Sequence, residues 1–241
     1  MSNARTEAIL DALEHVEHQR ARRAAHPGLA ARTEDLKRFQ QARFRQAYQD
    51  LLHSPRYAGA AGFFLDELYG PRDYSQRDAQ FRRIVRPLVR LFPKEVVTTV
   101  QTLAELHALS EELDTEMALA LREPANASAY VAAWQQVGRA AHRQAQIQLT
   151  LQVGQALDRY THKPLLRQAL RMMRGPAAAA GLEDLQRFLE CGFDTFRAMQ
   201  GADEFLARVQ QRETAWAQTL FQGDPGGDLR RLMHPESEAL T

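Results

Sequence analysis

The stretch FPKEVVTTVQTLAELHALSEELDTEMALALR, residues 92–122, decides the fold class. Its apolar residues recur three or four positions apart, a spacing that places them on one face of an α-helix. This face carries Val96, Val100, Leu103, Leu106, Leu113 and Met117. The β-branched cluster VVTTV lies inside the same pattern, so we expect packing to override its preference for a strand. The stretch therefore predicts a long central helix.

Helical patterns continue on both sides of this stretch. A second long helix is predicted over residues 128–161, and a helix kinked by Pro87 precedes the central one. Pro and Gly fall mostly between the periodic segments, and alternating strand patterns are absent from the sequence. We expect an all-α, single-domain bundle of about seven to eight helices over residues 1–222, with two long central helices. Residues 223–241 are expected to form a poorly ordered tail.

The composition is that of an ordinary globular protein. Hydrophobic residues make up 44% of the 241 residues and charged residues 25%, which is enough for a sizeable core. The 31 basic residues balance 30 acidic ones, so the chain as a whole lacks the positive charge of a nucleic-acid binder. A single cysteine, Cys191, excludes an intramolecular disulfide and every zinc site that needs two thiolates.

No segment of the sequence predicts insertion into a membrane. The first residues lack the apolar core of a leader peptide, and no run approaches the roughly 18 apolar residues of a transmembrane helix. A lone cysteine is typical of a reducing compartment. We therefore expect a soluble, cytoplasmic protein without a membrane partner.

The segment from residue 54 to residue 78 is the least regular part of the pattern. Its small-residue run, AGAAG, places two glycines in a predicted helix, at a cost of about 2 kcal/mol relative to alanine. Such glycines indicate close approach of another helix or of a ligand. Gly70 is predicted to end this helix in the left-handed conformation. In the structural alternative the glycines admit a tight helix crossing, and Arg77 forms an ion pair with Asp66 or Glu67.

A further candidate for ligand contact is His142, on the helix predicted over residues 128–161. Gly138 precedes it by about one helical turn and would leave room above the imidazole ring for a planar cofactor such as haem. The alternative is a buried histidine that hydrogen-bonds a neighbouring helix. The predicted ligand-pocket residues are Tyr57, Phe64, Tyr69, Asp73, Arg77 and His142. No cofactor is predicted, and haem or a metal is kept as an alternative.

Charged side chains form two stripes on neighbouring predicted helices. Glu105, Glu112 and Glu116 share one face of the central helix, but a di-iron site would need Glu-x-x-His pairs, which the sequence lacks. The preceding helix carries an arginine stripe, and a short connection should fold it against the acidic face so that the charges compensate. The arginine stripe consists of Arg82, Arg83, Arg86 and Arg90. Contact of this stripe with nucleic-acid phosphates is a weaker hypothesis, because no helix-turn-helix or interleaved aromatic residues accompany it.

Three blocks of sequence resemble a known family. The first is FFLDELYGPRD, residues 63–73, followed by Arg77 and Asp78. The second lies within residues 181–199 and contains LQ, FLE and GF, and the third is GADEFL, residues 201–206. These blocks resemble those of an uncharacterised family of all-helical bacterial proteins. The resemblance implies a shared helical fold and brings no activity, ligand or catalytic residue with it.

The sequence contains no motif specific to one reaction, since it has neither a glycine-rich phosphate loop nor a nucleophile elbow. We therefore predict a non-enzymatic helical protein that binds another protein or a small ligand. The first alternative is an enzyme or carrier with a pocket between helices near Tyr57, Tyr69 and His142, which would hold haem or a metal. The second is weak binding of nucleic acid through Arg82, Arg86 and Arg90.

Overall fold

The computed structural model describes residues 2–68, 70–121 and 126–222, and helices account for most of these residues. No strand occurs in these three ranges. The predicted all-α fold is therefore confirmed. The predicted tail, residues 223–241, and the pocket candidate Tyr69 lie outside the described residues.

The helices are more numerous than the seven to eight predicted, because short turns divide several of the predicted segments. In chain order they are α1 (Ser2–Ala25), α2 (Leu29–Ala47), α3 (Gln49–Leu52), α4 (Ala58–Phe63), α5 (Ser75–Leu91), α6 (Lys94–Ala120), α7 (Ala127–Val137), α8 (Ala140–Thr161), α9 (Pro164–Met172), α10 (Arg174–Ala179), α11 (Glu183–Met199) and α12 (Asp203–Gln222). A π-helical turn, Phe64–Leu68, follows α4.

The predicted central helix is confirmed as α6, which packs against α1, α2, α7 and α8. The predicted inner residues Leu106, Leu113 and Met117 are buried. Val97 of the β-branched cluster is helical and buried too, so packing does override the strand preference there. Because neighbours surround α6 on several sides, this helix contributes residues to much of the interior.

The second predicted long helix is divided into α7 and α8, so the continuous helix expected over residues 128–161 is wrong. Gly138 and Arg139 both have positive φ angles, 64° and 57°, which end one helix and begin the next. Glycine adopts this conformation readily, whereas for arginine it is unfavourable. Ion pairs hold Arg139 in place, because its Nη1 atom lies 2.6 Å from Glu112 and 2.8 Å from Glu116.

The acidic face of α6 is therefore compensated by Arg139 and not by the arginine stripe, so the predicted pairing of the two stripes is wrong. The physical reason is that α1 packs against both α5 and α6. On α5, Arg82 forms an ion pair with Glu17 of α1 at 2.6 Å, and Arg83 donates to the carbonyl oxygen of Ala180 at 2.8 Å.

Three clusters of buried side chains form the core among the described residues. An aromatic cluster contains Phe64, Phe196 and Phe205, whose ring centres lie between 5.5 and 6.5 Å apart. A second cluster surrounds Trp134 and Trp216, and a third lies between α1, α5 and α6. A cavity lies between the second and third clusters.

The segment over residues 54–78 is irregular, as its sequence indicated. The short α4 passes into the π-helical turn, and the chain then leaves helical structure before α5. Gly70 does not have a positive φ angle, so that prediction is wrong. Space requires the glycine instead, because a Cβ atom there would lie 2.8 Å from the carbonyl oxygen of Asp66. The Tyr74 hydroxyl donates to the same oxygen at 2.6 Å, so the chain folds tightly on itself here.

The two glycines of the AGAAG run do not mark a close approach. A Cβ atom on Gly59 would make an ordinary contact of 3.6 Å with Thr195 of α11, and one on Gly62 would meet nothing within 4 Å. The expectation of unusually close packing at these positions is therefore wrong. The expected ion pair of Arg77 is confirmed with Glu67, at 3.6 Å.

Candidate ligand cavity

A cavity of about 180 Å³ follows one face of α6. The α6 residues that line it are Val100, Leu103, Ala104, Leu106, His107, Ser110, Glu111 and Asp114. With a rise of about 1.5 Å per residue, this face is about 21 Å long. Its first half is mainly apolar and its second half is polar. The cavity is therefore narrow for its length and has two ends of different chemistry.

The apolar end of the cavity lies between α1, α5, α6 and α11. Besides the first half of the α6 face, its walls are Leu13, Phe81, Ile84, Leu88, Leu185, Phe188 and Leu189. On α5 and α11 these residues recur at helical spacing, so the walls follow from the amphipathic patterns of the two helices. This end offers mainly apolar contacts to a bound molecule.

The polar end of the cavity lies between α2, α6, α7, α8 and α12. Besides the second half of the α6 face, it is lined by Lys37, Gln40, Arg43, Tyr130, Trp134, Arg143, Gln146, Thr150, Glu213 and Trp216. On each helix these residues lie three or four positions apart, so each helix turns one polar face inward. Buried polar groups in such number must bond to one another, to water or to a ligand.

Glu111 is the centre of the charge network at the polar end. Arg23 of α1 and Lys37 of α2 both pair with its carboxylate, Lys37 at 2.6 Å. Gln40 donates to the neighbouring Asp114 at 3.0 Å. Burial raises the pKa of Glu111, but the charges of Lys37 and Arg23 outweigh it and lower the pKa to about 2. The carboxylate therefore stays ionised at neutral pH and compensates two buried cations.

Two arginines lie over two tryptophans on the far side of the polar end. The guanidinium of Arg43 lies 4.8 Å from the ring centre of Trp216, and that of Arg143 lies 4.0 Å from the ring centre of Trp134. Arg43 also forms a two-point ion pair with Glu213, at 3.0 and 3.2 Å. Attraction between the cations and the ring faces helps to fix the orientation of both indoles.

The indole N–H groups of Trp134 and Trp216 are buried and have no hydrogen-bond acceptor among the described residues. The two residues are 6% and 3% exposed, so their N–H groups do not reach bulk water as a hydrogen-bond acceptor. A buried donor that stays unsatisfied costs about 1–3 kcal/mol. Because both residues line the cavity, a molecule inside it is the natural acceptor.

Asp78 connects three basic side chains between the two ends of the cavity. His107 and Arg20 donate to its Oδ2 atom at 2.8 and 2.6 Å, and Arg77 lies 3.8 Å from its Oδ1 atom. Burial raises the pKa of Asp78, but the hydrogen bond from His107 and the charge of Arg20 outweigh the burial and lower it. Asp78 is therefore a fixed negative charge in the wall.

Among the described pocket candidates, Arg77 is the one that lines the cavity. Its guanidinium lies between the rings of Tyr74 and Phe188, 4.1 and 4.4 Å from their centres. Glu67 and Gly70 of the same irregular segment also line the cavity. The segment that the sequence marked as unusual therefore contributes one wall of the site.

The other described candidates lie away from the cavity. Tyr57 and Phe64 are buried in the aromatic cluster. Asp73 is exposed and accepts from the backbone N–H of Ser75 at the start of α5. His142 is exposed on α8, so the expectation that it is buried is wrong. As ligand contacts, these four residues remain predictions that the geometry does not favour.

The geometry expected for a planar cofactor beside His142 is absent, because Gly138 ends α7 whereas His142 lies in α8. In the part of the chain that the structure describes, no three His, Cys, Asp or Glu side chains are grouped so that they could hold a metal ion. Haem or a metal therefore stays an alternative prediction that these features of the described residues do not support.

The polar end of the cavity was missed in the sequence, because its residues come from five helices and no local motif connects them. One signal was available on α2. Gln40 and Arg43 continue the three- and four-residue spacing of the buried Leu29 and Leu36, so polar side chains occupy core positions of this helix. Such residues mark a buried polar site, although they do not reveal which helices complete it.

The lowered pKa of Glu111 predicts a loss of stability in acid. The ion pairs stabilise the folded protein fully above the ordinary pKa of 4.5, and this stabilisation is lost as the pH falls towards about 2. A difference of roughly 2.5 pKa units corresponds to about 3 kcal/mol. We expect the free energy of urea-induced unfolding to fall by at least this amount between about pH 5 and about pH 2. The fall should be smaller in Glu111→Gln; an equal fall would assign the effect to other carboxyl groups.

The fold and the cavity define an all-helical protein built around a narrow cavity with one apolar and one charged end. The chain belongs to the family of DUF8198, a domain of unknown function, whose model matches residues 19–227. This match confirms the resemblance to an uncharacterised family, and it includes every residue named in the cavity wall except Leu13. No curated protein and no solved structure matches the chain. No helix in the described ranges combines the length and apolar character needed to cross a membrane.

Proposed function

We propose that this protein binds a small organic molecule in the cavity along α6. The proposal is carried by the buried indole N–H groups of Trp134 and Trp216, which line the cavity without an acceptor in the described protein. Protein interiors are close-packed, and their buried polar groups are almost always hydrogen-bonded. A ligand in the cavity supplies both the missing packing and the missing acceptor.

The size of the cavity supports a ligand smaller than most drug molecules, whose pockets begin at roughly 300 Å³. An apolar cavity of about 150 Å³ is large enough to hold benzene. A volume of about 180 Å³ along a face about 21 Å long therefore accommodates a narrow, chain-like molecule better than a fused ring system.

The ion pairs in the cavity wall support binding rather than catalysis. Asp78, Glu111 and Glu213 are each paired with an arginine or a lysine. A general acid or base works best with a pKa near the operating pH, whereas the pKa values of Asp78 and Glu111 are lowered. A non-enzymatic binding protein is therefore the function that the geometry favours.

Nucleic-acid binding through the arginine stripe has less support. Arg82 is engaged by Glu17, and Arg83 by the carbonyl oxygen of Ala180, so two of the four side chains already have partners within the protein. Arg86 and Arg90 are exposed. Two exposed arginines supply a weak electrostatic contact with phosphates.

Intrinsic fluorescence tests the proposed function directly, because the chain has two tryptophans and both line the cavity. We expect methyl heptyl ketone, a small molecule with one polar end and an aliphatic chain, to change the emission saturably at one molecule per protein. Leu103→Phe adds bulk at the apolar end. Since overpacking costs about 1–3 kcal/mol, this variant should bind the ketone about tenfold or more weakly.

Leu119→Phe is the matched control for this experiment. Leu119 lies on the same helix, is 41% exposed and does not line the cavity. Its variant should bind the ketone with wild-type affinity. Saturable binding that Leu103→Phe leaves unchanged would place the ligand elsewhere. A protein that binds none of four probes, namely the ketone, the isosteric alkene with a methylene group in place of the oxygen, nonanoate and nonylammonium, would contradict the proposed function.

A further inference from the structure

We infer that the molecule bound in this cavity is uncharged, with a carbonyl oxygen held by the two tryptophans and an aliphatic chain in the apolar end. This inference rests on the proposed function and adds the chemical class of the ligand. Three features of the cavity support it: two indole N–H donors without an acceptor, the ion pairs that Lys37 and Arg43 already form, and an apolar wall at the opposite end.

The two indole N–H groups that lack an acceptor at the polar end are both hydrogen-bond donors. The indole nitrogen donates one hydrogen bond and accepts none. Trp134 and Trp216 also line a smaller recess of about 40 Å³ beside the cavity, together with Gln146 and Thr150. The two rings therefore border the same space. A carbonyl oxygen has two lone pairs and is able to accept from both donors.

Two of the cations at the polar end, Lys37 and Arg43, are already paired with carboxylates of the protein. Lys37 lies 2.6 Å from Glu111 and 3.9 Å from Asp114, and Arg43 forms its two-point pair with Glu213. A charged ligand would have to give up its hydration, and it would have to disrupt one of these ion pairs to gain Lys37, Arg43 or their carboxylates as a partner, which is unfavourable in a buried site. An uncharged acceptor satisfies the indoles and leaves every ion pair intact.

The opposite end of the cavity suits an aliphatic chain. Leu88, Val100 and Leu103 line it, and they belong to the apolar faces of α5 and α6. Burial of methylene groups against such a wall is favourable by about the same free energy for every group added. A ligand with its carbonyl oxygen at the tryptophans therefore gains affinity by extending its chain towards Leu103.

The indole resonances give the most direct test, because the two tryptophans of the chain yield two indole N–H signals in a proton–nitrogen correlation spectrum. Methyl heptyl ketone should move both proton signals downfield, as hydrogen bonding does. Its isosteric alkene, in which a methylene group replaces the oxygen, fills the same space without an acceptor and should leave both signals without that shift. Equal shifts with the two compounds would overturn the inference.

The affinities of the same two compounds give a second test. Trp134→Phe and Trp216→Phe each keep an aromatic ring and remove one N–H group. We expect each variant to lower the ratio of ketone affinity to alkene affinity about tenfold, the effect of one neutral hydrogen bond. The ratio cancels any general loss of packing or folding in the variant. If neither variant changes the ratio, the tryptophans do not hold the oxygen.

Nonanoate and nonylammonium, which carry opposite charges, test whether the cavity prefers an uncharged ligand. Each should bind at least about tenfold more weakly than the ketone, because a charge buried beside existing ion pairs gives up its hydration at a high cost. Tighter binding of either ion would overturn the uncharged class and leave the proposed function standing. If the ketone, the alkene and both ions all fail to bind, the proposed function itself fails.

Discussion

Replacement of Glu111 by Gln is expected to lower the free energy of unfolding by about 3–5 kcal/mol, the effect of removing one partner from a buried ion pair. Glu111 is 4% exposed and lies between Arg23 and Lys37. Its neutralisation leaves Lys37 with Asp114 at 3.9 Å, and leaves Arg23 with the neutral hydroxyl of Thr115, which accepts its hydrogen bond at 3.0 Å. Urea-induced unfolding at neutral pH measures the change.

Glu105→Gln is the matched control for the loss of a carboxylate from α6. Glu105 is exposed and accepts a hydrogen bond from Gln101, so we expect a change within about 0.5 kcal/mol. Lys37→Met should cost less in the Glu111→Gln protein than in the wild type, because the two side chains are directly coupled. A loss below about 1 kcal/mol in Glu111→Gln, the range of an exposed pair, would contradict a buried charge network.

The helices were predictable where the local sequence carries their pattern, whereas the break between α7 and α8 was not. The helix predicted over residues 92–122 is only slightly longer at each end than α6, Lys94–Ala120. The break between α7 and α8 combines Gly138, which the local sequence shows, with Arg139, whose partners Glu112 and Glu116 lie 27 and 23 residues earlier. Since a tertiary contact stabilises this left-handed residue, no window of local sequence contains the information that places it.

The cavity was predictable only in part, for a related reason. Periodicity indicates which face of a helix turns inward, but it does not indicate which helices share the interior space. The irregular segment over residues 54–78 was recognised, and its Arg77 lines the cavity. Trp134 and Trp216 belong to helices that are far apart in the chain, and their role depends on the packing of α7, α8 and α12 around α6. The cavity is thus a property of helix arrangement rather than of any motif.

The variant Phe64→Ala tests whether Phe64 acts as a core residue or as a ligand contact. Phe64 is 3% exposed, and its ring centre lies 5.5 Å from that of Phe205 and 6.3 Å from that of Phe196. Removal of a buried phenylalanine ring costs about 3–5 kcal/mol, so the free energy of unfolding should fall by that amount. The folded variant should bind methyl heptyl ketone with wild-type affinity, because Phe64 does not line the cavity.

Phe92→Ala is the control for the loss of an aromatic ring, since Phe92 is 46% exposed and should cost less than about 1 kcal/mol. Stability is measured by urea-induced unfolding and affinity by tryptophan fluorescence at a temperature where both variants are folded. A fall in affinity for folded Phe64→Ala, beyond that of Phe92→Ala, would restore Phe64 as a ligand contact. Unchanged affinity with lost stability would show that Phe64 acts through the core, at the start of the π-helical turn that also carries Glu67 to the cavity wall.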